Sequence, residues 1–112
     1  MALANSHEYL YLTTTGRVTG RAHEIEIWYV AYDGCCFLVS EKGEASDWVK
    51  NIRHNPALTF RLGDRLRGRL VHGQGRPLDP AAEPDRVAAV RSLMDSKYGW
   101  SNGLVVELRP NT

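Results

Sequence analysis

Hydrophobic and polar residues alternate in several short segments of the chain, which is the pattern of β-strands with one buried face. Residues 9–15 alternate leucine with tyrosine and are rich in aromatic and β-branched side chains. Residues 23–32 alternate as far as Ile27 and are apolar at every later position. This predicts one long strand that is half exposed at its start and buried on both faces at its end. Four further strands are predicted at residues 35–40, 57–62, 65–73 and 104–109.

Turn-forming residues separate these predicted strands. The Asp-Gly pair at 33–34 is a strong signal for a two-residue hairpin, so the third strand should return antiparallel beside the second. The Gly-Asp pair at 63–64 predicts a second hairpin between the fourth and fifth strands, and two glycines bracket a turn at 16–20. Antiparallel pairing is therefore expected throughout.

One segment between the strands has the period of a short amphipathic helix. Within residues 45–54, Trp48 and Ile52 share one face, and polar side chains occupy the other. Ser46 is a candidate N-cap residue. The Asn-Pro pair at 55–56 should end this helix, because the residue before a proline avoids helical angles.

A second helix is predicted from an apolar stripe that starts after Pro80 or Asp85 and ends at Lys97. Short antiparallel strands interrupted by two helices favour a mainly β fold, a small closed or partly open barrel with helices at its ends, because closure removes exposed sheet edges. We predict that residues 1–112 form a single domain of this kind.

Composition narrows the functional classes without changing this fold. The 112 residues, 43% of them apolar, suffice for one core, and 10 Gly and 5 Pro lie within globular usage. Fourteen Lys and Arg against thirteen Asp and Glu leave a formal charge of +1, so no overall field attracts nucleic acid or an acidic membrane. The longest apolar run has six residues, which predicts no membrane span.

Location and redox state follow from two short segments. Residues 1–8 lack the basic start and the apolar stretch of an export signal, so we expect a cytoplasmic protein. The adjacent Cys35 and Cys36 should point to opposite faces of a strand and remain unpaired, as two small buried hydrophobic residues. The four histidines are scattered without metal-ligand spacing, so no metal site is predicted.

The candidate chemistry is concentrated in the first turn. The sequence holds no motif typical of a nucleophilic enzyme, a nucleotide-binding loop or a metalloprotease, which leaves binding or chemistry supplied by a cofactor. Residues 9–23 contain no acidic residue and gather Arg17, Arg21, His23 and four threonines. An arginine fork and a turn of backbone amides suit a phosphate or carboxylate. The structural alternative is a solvated hairpin tip whose glycines serve the turn geometry.

A second loop, residues 40–47, leads into the first predicted helix. A helix amino terminus favours anions, and Lys42 adds positive charge. Glu41, Glu44 and Asp47 crowd the same end, where they equally suit compensation of the helix dipole. This loop is therefore a weaker candidate for a phosphate site than the first turn.

Four aromatic residues form a third candidate group. Trp48 fits a core position on a helical stripe, whereas Trp28 lies where the second strand becomes apolar and suits a flat pocket wall. Tyr98 and Trp100 flank a glycine in a loop after the second helix. That loop suits either a cover over a planar ligand or a helix stop with an anchoring aromatic residue.

Arginines cluster on and beside the second predicted hairpin, where Asp64 alone offsets them: Arg61, Arg65, Arg67, Arg69 and Arg76. A basic ribbon can grip a nucleic-acid backbone. The stacking aromatics of single-strand binding are missing apart from Phe60, which should face the core. Alternating arginines are typical of a solvated, edge-protecting face, so we predict no nucleic-acid partner.

Residues 11–21, read as Tyr-Leu-Thr-Thr-Thr-Gly-Arg-Val-Thr-Gly-Arg, are followed by His-Glu-Ile-Glu-Ile-Trp at 23–28. This stretch resembles the start of the deazaflavin (F-420)-dependent nitroreductase family, within the flavin-binding split-barrel superfamily of pyridoxamine 5'-phosphate oxidase type. Later pieces follow in matching order, with the 33–34 hairpin, Trp48 with Asn51, and the Asn-Pro pair. The Thr-Gly-Arg-x-Thr-Gly turn is the most specific of these pieces.

The resemblance implies a six-stranded antiparallel split barrel that forms a homodimer and binds an elongated, phosphate-bearing cofactor in a groove. That cofactor would be the deazaflavin coenzyme F-420, with FMN as the common alternative across the superfamily. The implied reaction is hydride transfer to an electron-poor small molecule such as a quinone, an enone or a nitro compound, with no catalytic side chain assigned. A non-catalytic protein that holds a cofactor or lipid in the same groove is the alternative from another class.

Site residues carry over by position from the resemblance. One set would surround the phosphate and acidic tail: Arg17, Thr19, Gly20, Arg21 and His23. A second set would meet the phosphate or ring or support the pocket: Ser40, Lys42, Gly43, Trp48 and Asn51. Trp28, Tyr98 and Trp100 would lie on the substrate side, with Tyr98 or water as the proton source. Val18, where a larger branch of the family has a basic residue, and Glu44, where a small residue is common, depart from the pattern and leave less positive charge for an anionic tail.

Overall fold

A computed structural model describes residues 7–111 of the chain. Within that range the chain forms seven strands, two α-helices and a short 3-10 turn. The strands are β1 (Tyr9–Thr15), β2 (Ala22–Trp28), β3 (Val30–Tyr32), β4 (Cys35–Ser40), β5 (Ala57–Leu62), β6 (Arg69–Pro77) and β7 (Leu104–Pro110). The helices are α1 (Asp47–His54) and α2 (Pro84–Tyr98), and the 3-10 turn is Gly43–Ala45. Most of the segment predicted to carry no export signal, residues 1–8, lies outside the described residues.

The predicted alternation sorts side chains correctly between the two faces of the sheet. In β1, Leu10 and Leu12 are fully buried, and the tyrosines beside them are half-buried. In β5, Leu58, Phe60 and Leu62 point into the core. The mainly β class is confirmed, because a period of two along a strand identifies the face that a sheet buries.

The predicted hairpin at Asp33-Gly34 is also confirmed. β3 and β4 pair antiparallel, with Tyr32 opposite Cys35. Both turn residues have positive φ, 52° at Asp33 and 75° at Gly34, which is the conformation of a type I′ turn.

The second predicted strand, residues 23–32, is wrong as a single element. It breaks at Tyr29, and its halves, β2 and β3, lie at opposite edges of one antiparallel sheet with strand order β2-β1-β5-β6-β7-β4-β3. The run is apolar on both faces because Tyr29, which is fully buried, carries the chain across from one sheet edge to the other. Seven strands therefore replace the six predicted, and the crossover joins the two edges of the curled sheet.

An apolar cluster lies on each face of the curled sheet. Its inner side forms a core cluster that includes Leu12 and Phe60 and packs against Ile52 of α1. Its outer side packs Phe37 of β4 against Val90 of α2. Helix α2 contacts β3 and β7, so it covers that half of the outer face.

The limits of α1 follow the sequence closely. The helix ends at His54, before the Asn-Pro pair, as predicted. Ser46 occupies the predicted N-cap position, but its hydroxyl hydrogen-bonds the Ser40 hydroxyl at 2.7 Å and makes no side-chain cap. The start of the helix is thereby tied to the end of β4.

The predicted start of the second helix at about Asp85 is confirmed to within one residue, whereas the predicted start of the fifth strand is wrong. An aspartate closes a local turn before each of these elements. Helix α2 begins at Pro84, since the Asp79 carboxylate accepts the N–H of Ala81 and holds the preceding residues in a separate turn. β6 begins at Arg69 and not at residue 65, since Asp64 accepts two backbone N–H groups of the loop. Asx turns of this kind compete with regular structure.

Cys35 and Cys36 are both buried and free, as predicted. Burial raises the pKa of the Cys36 thiol from its usual 9.0 to about 12. Ionisation is disfavoured because a thiolate at this position loses its hydration. The two cysteines are packing residues in this fold.

A carboxylate is buried on the α2 side of the sheet. Glu107 of β7 is 1% exposed, and it accepts hydrogen bonds from Arg76 at 3.1 Å and Arg86 at 3.0 Å. Arg109 lies 3.4 Å from the same carboxylate. Arg86 also donates to Asp33 in the hairpin turn at 2.8 Å. This charge network joins the β3–β4 turn, β6, β7 and α2.

Candidate functional site

A groove of about 1140 Å³ lies between the edge strand β2, the end of β4 and helix α1. All of residues 23–28 line it. Because side chains of a strand alternate between faces, a cavity lined by consecutive residues must follow the edge of the strand and reach both faces. Residues 23–28 span about 17 Å at the usual rise per residue, so the groove is elongated.

The two ends of the groove differ in chemistry. His23, Ile25 and Ile27 point toward the barrel interior, because each lies opposite a buried residue of β1. The residues between them face outward. The turn that follows β1 supplies a charged end beside His23, and Trp28 with Trp100 supplies an aromatic end.

Arg17 is the arginine of this turn that lines the groove. Its Nη1 donates to Asn51 Oδ1 at 2.9 Å, and its backbone N–H donates to the same oxygen at 3.2 Å. Asn51 is 4% exposed and donates from Nδ2 to Thr14 Oγ1 at 3.2 Å. On its other side, Nη2 of Arg17 lies 3.2 Å from the Asp47 carboxylate. The guanidinium is therefore preorganised, with one carboxylate already beside it.

Gly16 is required in this turn by close packing. A Cβ at Gly16 would lie 2.6 Å from Nε2 of His23 and 3.1 Å from the carbonyl oxygen of Arg21. The Gly16 N–H donates to that same carbonyl at 2.7 Å. Glycine thus lets His23 lie against the turn where it lines the groove.

The second loop contributes Ser40, Lys42 and Ser46 to the lining. Glu44 departs from the family pattern, but it pairs with Arg53 at 2.6 Å and lies outside the groove lining. This hydrogen bond from Arg53 lowers the pKa of the Glu44 carboxyl. Its charge is directed toward α1 and does not face a ligand.

Tyr98 acts as an anchor for the crossover. Its hydroxyl lies 2.8 Å from the Tyr29 carbonyl oxygen and 2.6 Å from that of Glu8, and it accepts the Tyr29 N–H at 3.1 Å. Burial raises the pKa of Tyr98 to about 12. Gly99 ends the helix in the left-handed conformation, with φ of 72°. The structure therefore matches the helix stop with an anchoring aromatic residue.

Most of the predicted site residues line the groove: Arg17, Thr19, His23, Trp28, Ser40, Lys42, Trp48, Asn51 and Trp100. The others lie outside its lining: Gly20, Arg21, Gly43 and Tyr98. Sequence reasoning did not assign Ile25, Ile27 or Asp47 to the site, although all three line it. The alternation that places both isoleucines on the face of His23 was the signal available for two of them.

Two further findings limit the kinds of site. Within residues 7–111 no group of three or more His, Cys, Asp and Glu side chains is placed to hold a metal ion. Over the same part of the chain, no helix combines the length and apolar character needed to span a membrane.

Comparison with known proteins identifies one matching family model. A model described as F420H(2)-dependent quinone reductase matches residues 2–98. Among curated proteins, none matches the sequence significantly.

Solved structures share the fold at low sequence identity. The heme storage protein HutZ from Vibrio cholerae is 13% identical, with a TM-score of 0.75 over 96% of this chain and 84% of that one. A putative pyridoxamine 5'-phosphate oxidase from Listeria innocua is 13% identical, with a TM-score of 0.69 over 95% and 86%. An F-420 reductase is 17% identical, with a TM-score of 0.63 over 98% and 97%. These likenesses confirm the split-barrel fold.

Proposed function

From its membership of the F420H(2)-dependent quinone reductase family, we propose that the chain is a cytoplasmic oxidoreductase that uses coenzyme F-420. Its substrate would be an electron-poor small molecule, such as a quinone, an enone or a nitro compound. The observation that carries this proposal is the elongated groove along β2, with Arg17 and His23 at the first turn and Trp28 with Trp100 at its aromatic end.

The residues of the groove fit a cofactor with a phosphate-bearing chain and a planar ring. Arg17 lies in the turn between β1 and β2 and donates to the Asp47 carbonyl oxygen at the start of α1. Lys42 lies in the loop that precedes α1, and both side chains line the groove. Ile25 and Ile27 line the remaining length from the inner face of β2, and Trp28 lines it from the outer face. The volume of about 1140 Å³ exceeds that of most sites for drug-sized ligands, which leaves room for a small substrate beside the cofactor.

Each group of side chains then has a role that needs no nucleophile. Reduced deazaflavin, when bound, supplies a hydride, so the protein contributes binding, orientation and exclusion of water. Arg17 would bind phosphate oxygens, and Asn51 would hold its guanidinium in place. A quinone that accepts a hydride also needs one proton. We assign that proton to water, because the Tyr98 hydroxyl is engaged with backbone groups.

We further propose that the protein is a homodimer. Helix α2 packs on β3 and β7, whereas on the outer face of β1 the half-buried Tyr9 and Tyr11 lie beside the exposed Glu26. A second copy placed on this face would also close the open side of the groove along β2. Sedimentation equilibrium at the concentrations used for activity tests this, and a monomer that is fully active contradicts it.

The cofactor proposal is tested by titrating the protein with F-420 and with FMN, followed by anaerobic mixing of the reduced complex with menadione. Binding of F-420 with reoxidation above the rate in buffer supports the proposal. Binding of FMN alone would favour a flavin enzyme, and binding without reoxidation would favour a carrier. Failure to bind either cofactor would contradict the assignment of the groove.

A further inference from the structure

Arg17 is held by two partners that differ in burial. Asn51 is 4% exposed and is itself bonded to Thr14, so its contact with the guanidinium belongs to the folded core. The Asp47 side chain is 85% exposed, and the Arg17 side chain is 32% exposed. The Asp47 carboxylate can therefore rotate away into water without breaking the core, whereas Asn51 cannot.

Asp47 contacts the Arg17 guanidinium inside the groove. Oδ1 of Asp47 lies 3.2 Å from Nη2 of Arg17, at the start of α1 and within the groove lining. Nη1 donates to Asn51 Oδ1 and to the Asp47 backbone carbonyl oxygen, and the backbone N–H of Arg17 also donates to Asn51. A phosphate or carboxylate oxygen that approaches Nη2 of Arg17 from the groove therefore finds this nitrogen already paired with the Asp47 carboxylate.

Two of the other carboxylates that line the groove have different partners. Glu24 pairs with Arg65 at 2.6 Å, and Glu26 accepts the Tyr11 hydroxyl at 3.0 Å. These contacts lie on the outward face of β2. Asp47 differs from these two carboxylates because it pairs with Arg17.

We propose that Asp47 competes with the oxyanion of the ligand for the Arg17 guanidinium. Asp47 thereby sets the affinity of this end of the groove for phosphate and carboxylate groups. An anion that binds Nη2 of Arg17 gains that contact by displacing Asp47, and the net gain is the difference between the two ion pairs. This inference rests on the proposed function of the groove as a cofactor site, and it deepens that function by naming the residue that limits anion affinity.

The test compares Asp47→Asn with Glu41→Gln in the full chain. Each variant removes one negative charge from the groove lining, but only Asp47→Asn removes the carboxylate that pairs with the guanidinium. Inorganic phosphate is titrated while the Nε–Hε resonance of Arg17 is followed by NMR, and F-420 is titrated by fluorescence. We expect Asp47→Asn to bind both about three- to fivefold more tightly, as loss of an exposed ion pair allows, and Glu41→Gln to change affinity by less than about twofold.

A second pair of variants checks that the effect passes through Arg17. In the background of Arg17→Gln, Asp47→Asn should no longer tighten phosphate binding, because there is no guanidinium to release. Asp47→Ser repeats the test with a side chain that suits the start of a helix, in case the amide perturbs α1. Equal tightening by Asp47→Asn and Glu41→Gln, or tightening that persists without Arg17, overturns the proposal.

Failure of this inference is distinguishable from failure of the proposed function. If neither F-420 nor FMN binds the wild type, the cofactor assignment fails, and the phosphate titration still decides the role of Asp47. If both cofactors bind but Asp47→Asn leaves every affinity unchanged, the cofactor site stands and the competitor role is wrong.

Discussion

The ring of Tyr98 stacks on that of Trp28, with centroids 4.5 Å apart and planes 8° from parallel. Trp28 is the last residue of β2 and lines the aromatic end of the groove. Tyr98 is the last residue of α2, and its hydroxyl bonds the backbone of Tyr29 at the crossover. The last turn of α2 therefore positions a wall of the groove without lining it.

Replacement of Tyr98 by Phe keeps this stack and removes the hydroxyl contacts. We expect a loss of about 1–2 kcal/mol of unfolding free energy, because buried backbone groups lose a partner, and little change in the turnover rate. Urea unfolding and steady-state kinetics measure the two. Tyr11→Phe is the matched control, since its hydroxyl lies on the exposed face with Glu26, and should cost about 0.5 kcal/mol or less. A large fall in turnover with native stability would instead indicate that Tyr98 donates a proton.

Arg17 and Arg21 should differ in their effect on cofactor binding. Arg17→Gln removes the guanidinium that lines the groove, and we expect F-420 to bind more than tenfold more weakly, since charge-assisted hydrogen bonds contribute about 1.5–3 kcal/mol each. Arg21 is exposed and lies outside the lining, so Arg21→Gln should change affinity by less than about threefold. Fluorescence titration decides between them, and equal losses would count against the groove as the binding site.

Glu107→Gln should destabilise the fold more than loss of an exposed carboxylate does. The substitution leaves Arg76, Arg86 and Arg109 around an uncharged side chain that is 1% exposed in the native protein. We expect a loss of about 2 kcal/mol, below the usual value for a broken buried pair because Arg76 and Arg109 are about half exposed to solvent. Urea denaturation measures this. Glu24→Gln, which removes the exposed partner of Arg65, should cost less than about 1 kcal/mol.

Alkaline pH should weaken the fold through Cys36. Its folded pKa is raised from 9.0 to about 12, so the unfolded thiol ionises first, and the stability present below pH 9 is lost as the pH rises from 9 toward 12. Tyr98, raised from 10.0 to about 12, acts in the same direction. Urea unfolding at pH 8, 9.5 and 10.5 measures the free energy of unfolding. This free energy should fall less steeply with pH in Cys36→Ala than in the wild type, by up to about 1.4 kcal/mol per pH unit.

The control for that experiment is Val39→Ala, a truncation of another buried residue without a titrating group. This variant should lower the free energy of unfolding by the same amount at every pH, so that its dependence on pH matches that of the wild type. Parallel profiles for Cys36→Ala and the wild type would show that the thiol does not contribute to the alkaline loss.

Most of the candidate site was predictable from local sequence and the family resemblance, and its failures have a common cause. Arg17 and Asn51 were assigned to the site, and the structure brings them within 2.9 Å. Tyr98 was assigned to the substrate side but is turned to Tyr29, 69 positions away in the chain. Arg21 was assigned to the site but lies outside the groove lining, whereas Asp47, the neighbour of the predicted Trp48, lines it. Whether each lines the groove depends on how the turn and α1 meet.

The sequence by itself determined what depends on neighbouring residues. A period of two buried Leu12 and Phe60, the Asp33-Gly34 pair made the hairpin, and the Asn-Pro pair ended α1. These features follow from backbone angles and side-chain direction, which a few adjacent residues fix.

Only the tertiary structure decided where the long apolar run breaks and which charges meet. Residues 28–32 are apolar on both faces whether they continue a strand or cross between sheet edges, so the break at Tyr29 follows from curling of the whole sheet. The pairing of Asp47 with Arg17, and of Glu44 with Arg53, likewise depends on side chains brought together by folding. An ion pair depends on the distance in space between two charges, and their separation along the chain does not predict that distance.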